Sequence, residues 1–270
     1  MENFPSVCPH DCPSTCALSV EKISDTQIGR IHGQEGHPYL KGIVCAKVAR
    51  YAERVHHPER LQYPLLRQGA KGEGKFKRIS WDEAYDILAR KFLEIEAQHG
   101  AEAIWPYQYA GTMGLAQRGA IEILRNVKNY SRQHNTICVV LVEAGWLAGV
   151  GAKWGPDTRE LQKSDLIVIW GCNPVHTQVH LMTNALSARK NNGTKLVVID
   201  TYLTESAKHA DIALILRPGT DAALALAVMH VLFKEGLADN EYMAKYTDCP
   251  ERLRLMLRTR LLLGRRRLRA

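Results

Sequence analysis

The sequence predicts an α/β protein: a small cysteine-bearing N-terminal domain, followed by doubly wound, Rossmann-like parallel α/β segments. Three observations carry this expectation. The second half of the 270-residue chain repeats a strand–loop–helix unit three times, the pattern of a parallel sheet covered by helices. Each of those strands is a short apolar run closed by a glycine- or aspartate-bearing loop. Four of the seven cysteines fall within the first 45 residues, ahead of every such unit.

The N-terminal segment reads Cys8-Pro-His-Asp-Cys12-Pro-Ser-Thr-Cys16, answered by Cys45 in Gly-Ile-Val-Cys-Ala-Lys. Three cysteines at four-residue steps can reach adjacent corners of a compact inorganic cluster. A fourth, returning after twenty-eight intervening residues, can close the remaining corner. A 4Fe-4S cubane takes one thiolate per iron, with short spacings plus one distant partner. The excursion reads as two strands, 16–23 and 27–33, joined by Ser24-Asp25. Zinc is the competing ligand set, but structural zinc favours two close pairs, whereas the grouping here is three plus one. Disulfides belong to oxidising compartments. Met-Glu-Asn-Phe-Pro-Ser has neither the basic region nor the apolar run of an export signal, so the expected setting is reduced and cytoplasmic.

Composition narrows the partners. With 46% hydrophobic and 24% charged residues, the chain has the makeup of an ordinary globular protein. Its net charge of +8 is concentrated at one end: residues 252–270 hold eight arginines and no acid. Without them, twenty-eight basic residues face twenty-eight acidic ones. The charge therefore does not form a nucleic-acid-binding face, and no nucleic-acid partner is expected. No stretch reaches the roughly eighteen apolar residues of a membrane span, so no transmembrane segment is expected either.

Residues 46–55 read as a helix, ended by His56-His57-Pro58 because the residue before proline leaves the α region. The two histidines read as linker residues, not ligands. Lys47, two residues past Cys45, is within reach of a cluster, or is equally a solvated helix lysine. Residues 59–78 read as an irregular connector with a hairpin. Ser80-Trp-Asp-Glu83 is a capping box, opening a helix to about residue 98 that Gly100 ends. A short buried strand is expected over 103–107 and a helix over 115–126. Asp165-Leu-Ile-Val-Ile-Trp170 reads as a strand covered on both faces, then Gly171-Cys-Asn-Pro174 and a helix to Lys190. Lys195-Leu-Val-Val-Ile-Asp200 and Ile212 to Leu216 are the next strands, with a short helix near Glu205 between them. Arg217-Pro-Gly-Thr-Asp221 leads into the last helix, through Leu232. In such sheets ligands bind at the carboxyl ends of strands, where these loops fall.

Together these residues resemble the molybdopterin oxidoreductases of the dimethyl sulfoxide reductase and formate dehydrogenase type. The resemblance rests on the four-cysteine opening with Cys45-Ala-Lys47, on Ile79-Ser-Trp-Asp-Glu-Ala84, and on Trp170-Gly-Cys-Asn-Pro174. It continues through Val198-Ile-Asp200, Glu205-Ser-Ala-Lys-His-Ala-Asp211 and Pro218-Gly-Thr-Asp-Ala222. It implies that Cys8, Cys12, Cys16 and Cys45 bind a 4Fe-4S cluster, with Lys47 between that cluster and a pterin as an electron relay. It implies that Gly171, Asn173 and Pro174 approach one dinucleotide of a molybdenum bis(molybdopterin guanine dinucleotide) cofactor. Asp200, Gly219, Thr220 and Asp221 would hold its guanosine end. Cys138, in Asn135-Thr-Ile-Cys138, falls about where the family supplies a protein ligand to molybdenum; a small buried cysteine before an apolar run is the other reading. Cys172 and Cys249 read as structural, and His176 and His180 as helix residues near the pterin.

The expected activity is molybdenum-dependent oxidoreduction of a small-molecule or oxyanion substrate, with electrons passed to a partner protein. An iron-sulfur electron-transfer subunit without molybdenum, like the large subunit of NADH dehydrogenase, is the alternative, and an inactive truncation product a third. Members of the family are substantially longer, and the arginine-leucine run after Cys249 does not resemble them. The isolated chain is therefore expected to be catalytically incomplete and to expose apolar faces. The expected domains are 1–60 for the cluster, 61–135 for a first α/β part, 136–250 for dinucleotide binding, and a basic tail over 251–270.

Overall fold

The computed structural model describes residues 2–109, 111, 119–134 and 139–257. They form two compact units: one from the N-terminus to Asp165 together with Pro174–Thr194, the other comprising Leu166–Asn173 and the chain from Lys195 onward.

The first unit opens with three antiparallel strands, β1 (Glu2–Val7), β2 (Ala17–Ser24) and β3 (Gln27–Gly33), with β2 in the centre. The sequence pattern anticipates β2 and β3 but not β1. Pro5 lies in it, opposite Ser19, and proline is tolerated there because β1 is an edge strand. Cys16, Leu18, Ile31, Leu40 and Val48 pack into a buried core, with Cys8, Cys45, Tyr39 and Tyr51 against it. The sheet thus carries the cysteine loop on its own hydrophobic core.

The helix expected over 46–55 divides into α1 (Ala46–Ala49) and α2 (Tyr51–Val55), separated by Arg50 at φ −100° and ψ 14°. His56 caps α2 and its Nε2 accepts a hydrogen bond from the Ile28 N–H at 3.1 Å, the structural role the sequence suggests. The connector contains the hairpin β4 (Leu65–Arg67) and β5 (Phe76–Arg78). Ser80 Oγ then accepts from the Glu83 N–H at 3.0 Å and opens α3 (Trp81–His99), which Gly100 ends at φ +82°. This satisfies one of the orphan donors at the helix start.

One expected element is absent. In place of a strand over 103–107, the chain makes a 3-10 turn at Ala101–Ala103 and continues irregularly. Ile104 is buried, but its carbonyl accepts from Ser131 N–H and the Glu102 carbonyl from Ser131 Oγ. An irregular neighbour, not a strand, satisfies this backbone, so no ladder forms. Of the helix expected over 115–126, residues 115–118 lie outside the described residues, and the rest falls in α4 (Ala120–Lys128); α5 (Val139–Val150) follows. Cys138, the candidate molybdenum ligand, lies outside the described residues. A 3-10 helix at Thr158–Lys163 is tied to the last helical segment of this unit, with Gln162 Nε2 donating to the Asn184 carbonyl at 3.1 Å. That segment is α6 (Pro174–Thr177) and α7 (Val179–Asn192), broken at Gln178, with His180, Met182, Ala185 and Ala188 buried.

The second unit is a parallel sheet of β6 (Leu166–Trp170), β7 (Lys195–Asp200) and β8 (Ile212–Ile215), with β7 central. The 3-10 turn Ala207–His209 precedes β8, and α8 (Asp221–Lys234) and α9 (Asn240–Tyr246) follow it. β6 departs from the two-sided burial that its apolar run suggests. Ile167 and Ile169 are buried, while Leu166 and Val168 are about half exposed. No residue of β8 or α8 is buried, so among the described residues one face of β6 stays uncovered. Residues 250–257 are helical; most of the arginine-rich tail lies outside the described residues.

Among the described residues, no helix is long and apolar enough to cross a membrane.

Candidate functional site

In the first unit, Cys8, Cys12, Cys16 and Cys45 line a single cavity of about 300 Å³, together with His10, Lys47, Thr177 and His180. Local backbone chemistry sets the first three. The Cys8 N–H donates to the Cys16 carbonyl at 2.9 Å, closing the loop at its base, and Thr15 N–H donates back to the Cys12 carbonyl at 3.2 Å. Thr15 sits at φ +41°, a left-handed conformation costly for a β-branched residue. Such strain persists where the surrounding structure enforces it; here it turns the chain between Cys12 and Cys16. Cys45 arrives from the far side as the N-cap of α1, and its side chain caps no helical N–H.

The thiols differ in setting. Cys16 is buried, and Cys8, Cys12 and Cys45 are half-buried. Burial, reinforced by the three other thiols, pushes Cys16 up to about 11. Burial also raises Cys8, where Cys45 and Cys12 add to the effect while a backbone N–H at His10 and the Lys47 ammonium oppose it. Four thiolates so arranged repel one another, and a bound cation removes that penalty. The donor set therefore fits a thiolate-ligated metal group. The thiols surround a space and do not converge on a point: among the described residues, no three His, Cys, Asp or Glu side chains could hold a single ion.

Lys47 also lines a second, open groove with His10, Arg50, Tyr51, Arg54 and Arg60, so Lys47, like His10, borders both spaces. Tyr51 OH is hydrogen-bonded to His10 Nε2, fixing the wall between them.

Two contacts at the cavity escape the sequence reading. Cys12 Sγ donates to the Thr177 carbonyl at 3.3 Å, and Cys16 Sγ lies 3.3 Å from His180 Nε2. His176 and His180, read from the resemblance as helix residues near the pterin, lie on α6 and α7: His176 is exposed, while His180 is 1% exposed and set against the cysteine loop. With Cys16 and His180 separated by 164 positions in the chain, no local pattern could reveal this pairing. Burial and the neighbouring His37 push the His180 imidazole's pKa down.

In the second unit, the loop residues anticipated from sequence gather at the carboxyl ends of the three parallel strands. Gly171, at φ +61°, follows β6 and its N–H donates to the Ile199 carbonyl at 2.8 Å. Asn173 Oδ1 accepts from Ser206 Oγ at 2.6 Å, tying the first loop to the second. Asp200 ends β7 half-buried, and its carboxylate accepts from the Thr201 N–H at 2.7 Å. After β8, Gly219 at φ +81° leads to Thr220, whose hydroxyl donates to the Arg217 carbonyl at 2.7 Å. The Asp221 carboxylate accepts from Trp170 Nε1–H at 2.8 Å, joining the third loop to the first. Pro174, the remaining anticipated residue, belongs to the first unit, where it opens α6 and is buried. Cys172 belongs to this loop set, in the second unit, and Cys249 is exposed.

Comparison with known proteins agrees with this geometry. Residues 1–57 match the Fe4S4 domain of molybdopterin oxidoreductases, and residues 60–256 match the molybdopterin oxidoreductase domain itself. The chain is 39% identical over 252 residues to the probable oxidoreductase YoaE of Bacillus subtilis, covering 93% of this chain and 37% of that protein. It is 29% identical to the dimethyl sulfoxide reductase DmsA of Escherichia coli, covering 89% of this chain and 32% of that one. Acetylene hydratase from Pelobacter acetylenicus superposes with a TM-score of 0.63 at 27% identity, covering 94% of this chain and 35% of that structure. The chain thus spans about a third of the length of these relatives. With cysteine loop, strand-end loops and both domain matches in agreement, it belongs to the molybdopterin oxidoreductase family, of the dimethyl sulfoxide reductase type, and carries that family's Fe4S4 domain at its N-terminus.

Proposed function

We propose that this chain is the cluster-bearing segment of a molybdenum-dependent oxidoreductase. In this reading Cys8, Cys12, Cys16 and Cys45 hold a 4Fe-4S cluster, and the strand-end loops hold one end of a molybdopterin guanine dinucleotide. The observation that carries it is the enclosure of one cavity by those four thiols, with Lys47 on its rim. When bound, the molybdenum centre supplies two-electron chemistry toward substrate and the cluster supplies one-electron transfer. The chain's own residues supply binding, orientation and electrostatics.

Each residue has a definite task. The four thiolates anchor the irons, with Cys16 fixed by the hydrophobic core beneath it. Lys47 places a positive charge between the thiol cavity and the open groove, where it offsets the negative charge of a thiolate-ligated cluster. Gly171 and Gly219 allow close approach of a ligand to the backbone. The half-buried Asp200 carboxylate, at a strand end, offers an acceptor to sugar hydroxyls or the N–H edge of guanine. Substrate turnover is assigned to the longer protein of this family, with a small molecule or oxyanion as substrate and an electron-transfer protein as partner. Cytoplasmic residence is part of the same proposal.

Guanosine diphosphate tests the second half of this reading. Calorimetric titration is expected to show binding to the wild-type chain and affinity about tenfold or more lower for Asp200→Ala, the effect of losing a hydrogen bond to a charged group. Equal affinity for adenosine diphosphate, or no loss in the variant, would remove Asp200 from the nucleotide site. The loops kept intact around Asn173 and Asp221 favour this reading over an iron-sulfur subunit that has lost its pterin.

A further inference from the structure

We propose that His180 is a positioning residue for the cluster: its Nε2–H donates a hydrogen bond to the Cys16 thiolate and raises the cluster's reduction potential. This rests on the assignment of Cys16 as a cluster ligand.

The geometry is specific. His180 Nε2 lies 3.3 Å from Cys16 Sγ, in a contact where both residues are buried, at 1% and 8% exposure. A thiolate bound to iron carries no proton, so the sulfur can only accept, and the shared hydrogen must sit on Nε2. The ring has little freedom to turn away. Its centroid lies 4.9 Å from that of Tyr39, and Asn184 Nδ2 donates to the His180 carbonyl at 2.9 Å, holding the first turn of α7. Tyr39 itself packs against the core that carries Cys16, so ligand and donor share one rigid support. No other side-chain N–H or O–H is found on a cluster cysteine among the described hydrogen bonds; the Cys12 Sγ contact is to the Thr177 carbonyl, which offers the sulfur no donor.

The physical consequence follows from charge. Reduction adds an electron to a cluster already made negative by its thiolates, and part of that charge resides on sulfur. A donor aimed at sulfur stabilises the reduced form more than the oxidised one. In a buried setting this preference is not averaged away by water. His180 therefore acts through Cys16 and not on substrate.

The test uses the full chain, anaerobically reconstituted with iron and sulfide, and a redox titration followed by electron paramagnetic resonance. His180→Phe keeps a ring of similar size and removes the donor; His180→Gln keeps an N–H at nearly the same reach. The expected result is about a tenfold lower equilibrium constant for reduction in His180→Phe, or ~60 mV more negative for one electron, with iron content unchanged and most of the shift restored in His180→Gln. An unchanged potential at full iron content would overturn the proposal. Should His180→Phe not retain iron, the wild-type protein decides. With histidine ¹⁵N-labelled at the ring Nε2 only, pulsed spectroscopy of the reduced cluster is expected to show a nitrogen coupling that disappears in His180→Gln. A coupling that persists there, or none in the wild type, contradicts the proposal. Failure of the wild-type chain to take up iron at all would instead mark the failure of the cluster assignment.

Discussion

Cys45→Ala is expected to reduce iron from about four to at most three per chain, and to abolish the paramagnetic signal of a reduced four-iron centre. The expectation follows from the one-thiolate-per-iron requirement of a cubane. Cys45 is the proposed ligand delivered from outside the Cys8–Cys16 loop, at the N-cap of α1, and among the described residues no fifth cysteine lines the cavity. Cys172 lies in the other compact unit and Cys249 is exposed. The same substitution at either position should leave iron content unchanged. Loss of iron in Cys172→Ala equal to that in Cys45→Ala would mean that the ligand set is misassigned.

Leu40→Ala is expected to destabilise the cluster-bearing unit by about 2–5 kcal/mol, the usual cost of truncating a fully buried leucine and leaving a cavity. Leu40 is 1% exposed and packs with Cys16, Leu18, Ile31 and Val48. Total stabilities of natural domains run about 5–15 kcal/mol, so this single change removes a large share. Urea unfolding followed by circular dichroism would register it as a lower midpoint at unchanged slope. Because Cys16 rests on the same core, the variant should also release iron at lower denaturant than the wild type. A midpoint shift equivalent to less than about 1 kcal/mol, within the range of surface substitutions, would show that Leu40 is not part of a close-packed core.

Much of this site could be read from the chain because its signals are local. The cysteine spacing needs only a short loop, and Ser80 with Glu83 announces a helix start that the structure reproduces at 3.0 Å. The apolar runs 166–170 and 195–200 are strands because β-branched and aromatic residues favour the pleated surface. Gly171, Asp200 and Gly219–Asp221 come together because parallel strands place all their following loops at one end. Where the reading fails, the cause is non-local. The segment 103–107 has strand-like residues, yet its backbone is satisfied by Ser131. β1 carries a proline that argues against a strand until its edge position is known. His180 has its meaning only through Cys16, and no periodicity links two residues so far apart. The apolar face of β6 predicts burial, but Leu166 and Val168 remain exposed, because a hydrophobic pattern records what a surface is suited to touch and does not supply the neighbour.

The central claim is that four cysteines of this chain hold a 4Fe-4S cluster within a molybdopterin enzyme scaffold. Iron, zinc, acid-labile sulfide and molybdenum per chain, measured after anaerobic purification, test it most directly. The predicted result is about four irons with matching sulfide and no zinc; molybdenum alongside would show that this segment also retains the pterin cofactor. One zinc per chain with neither iron nor sulfide would contradict the cluster assignment, and with it the proposed role of the chain in electron transfer.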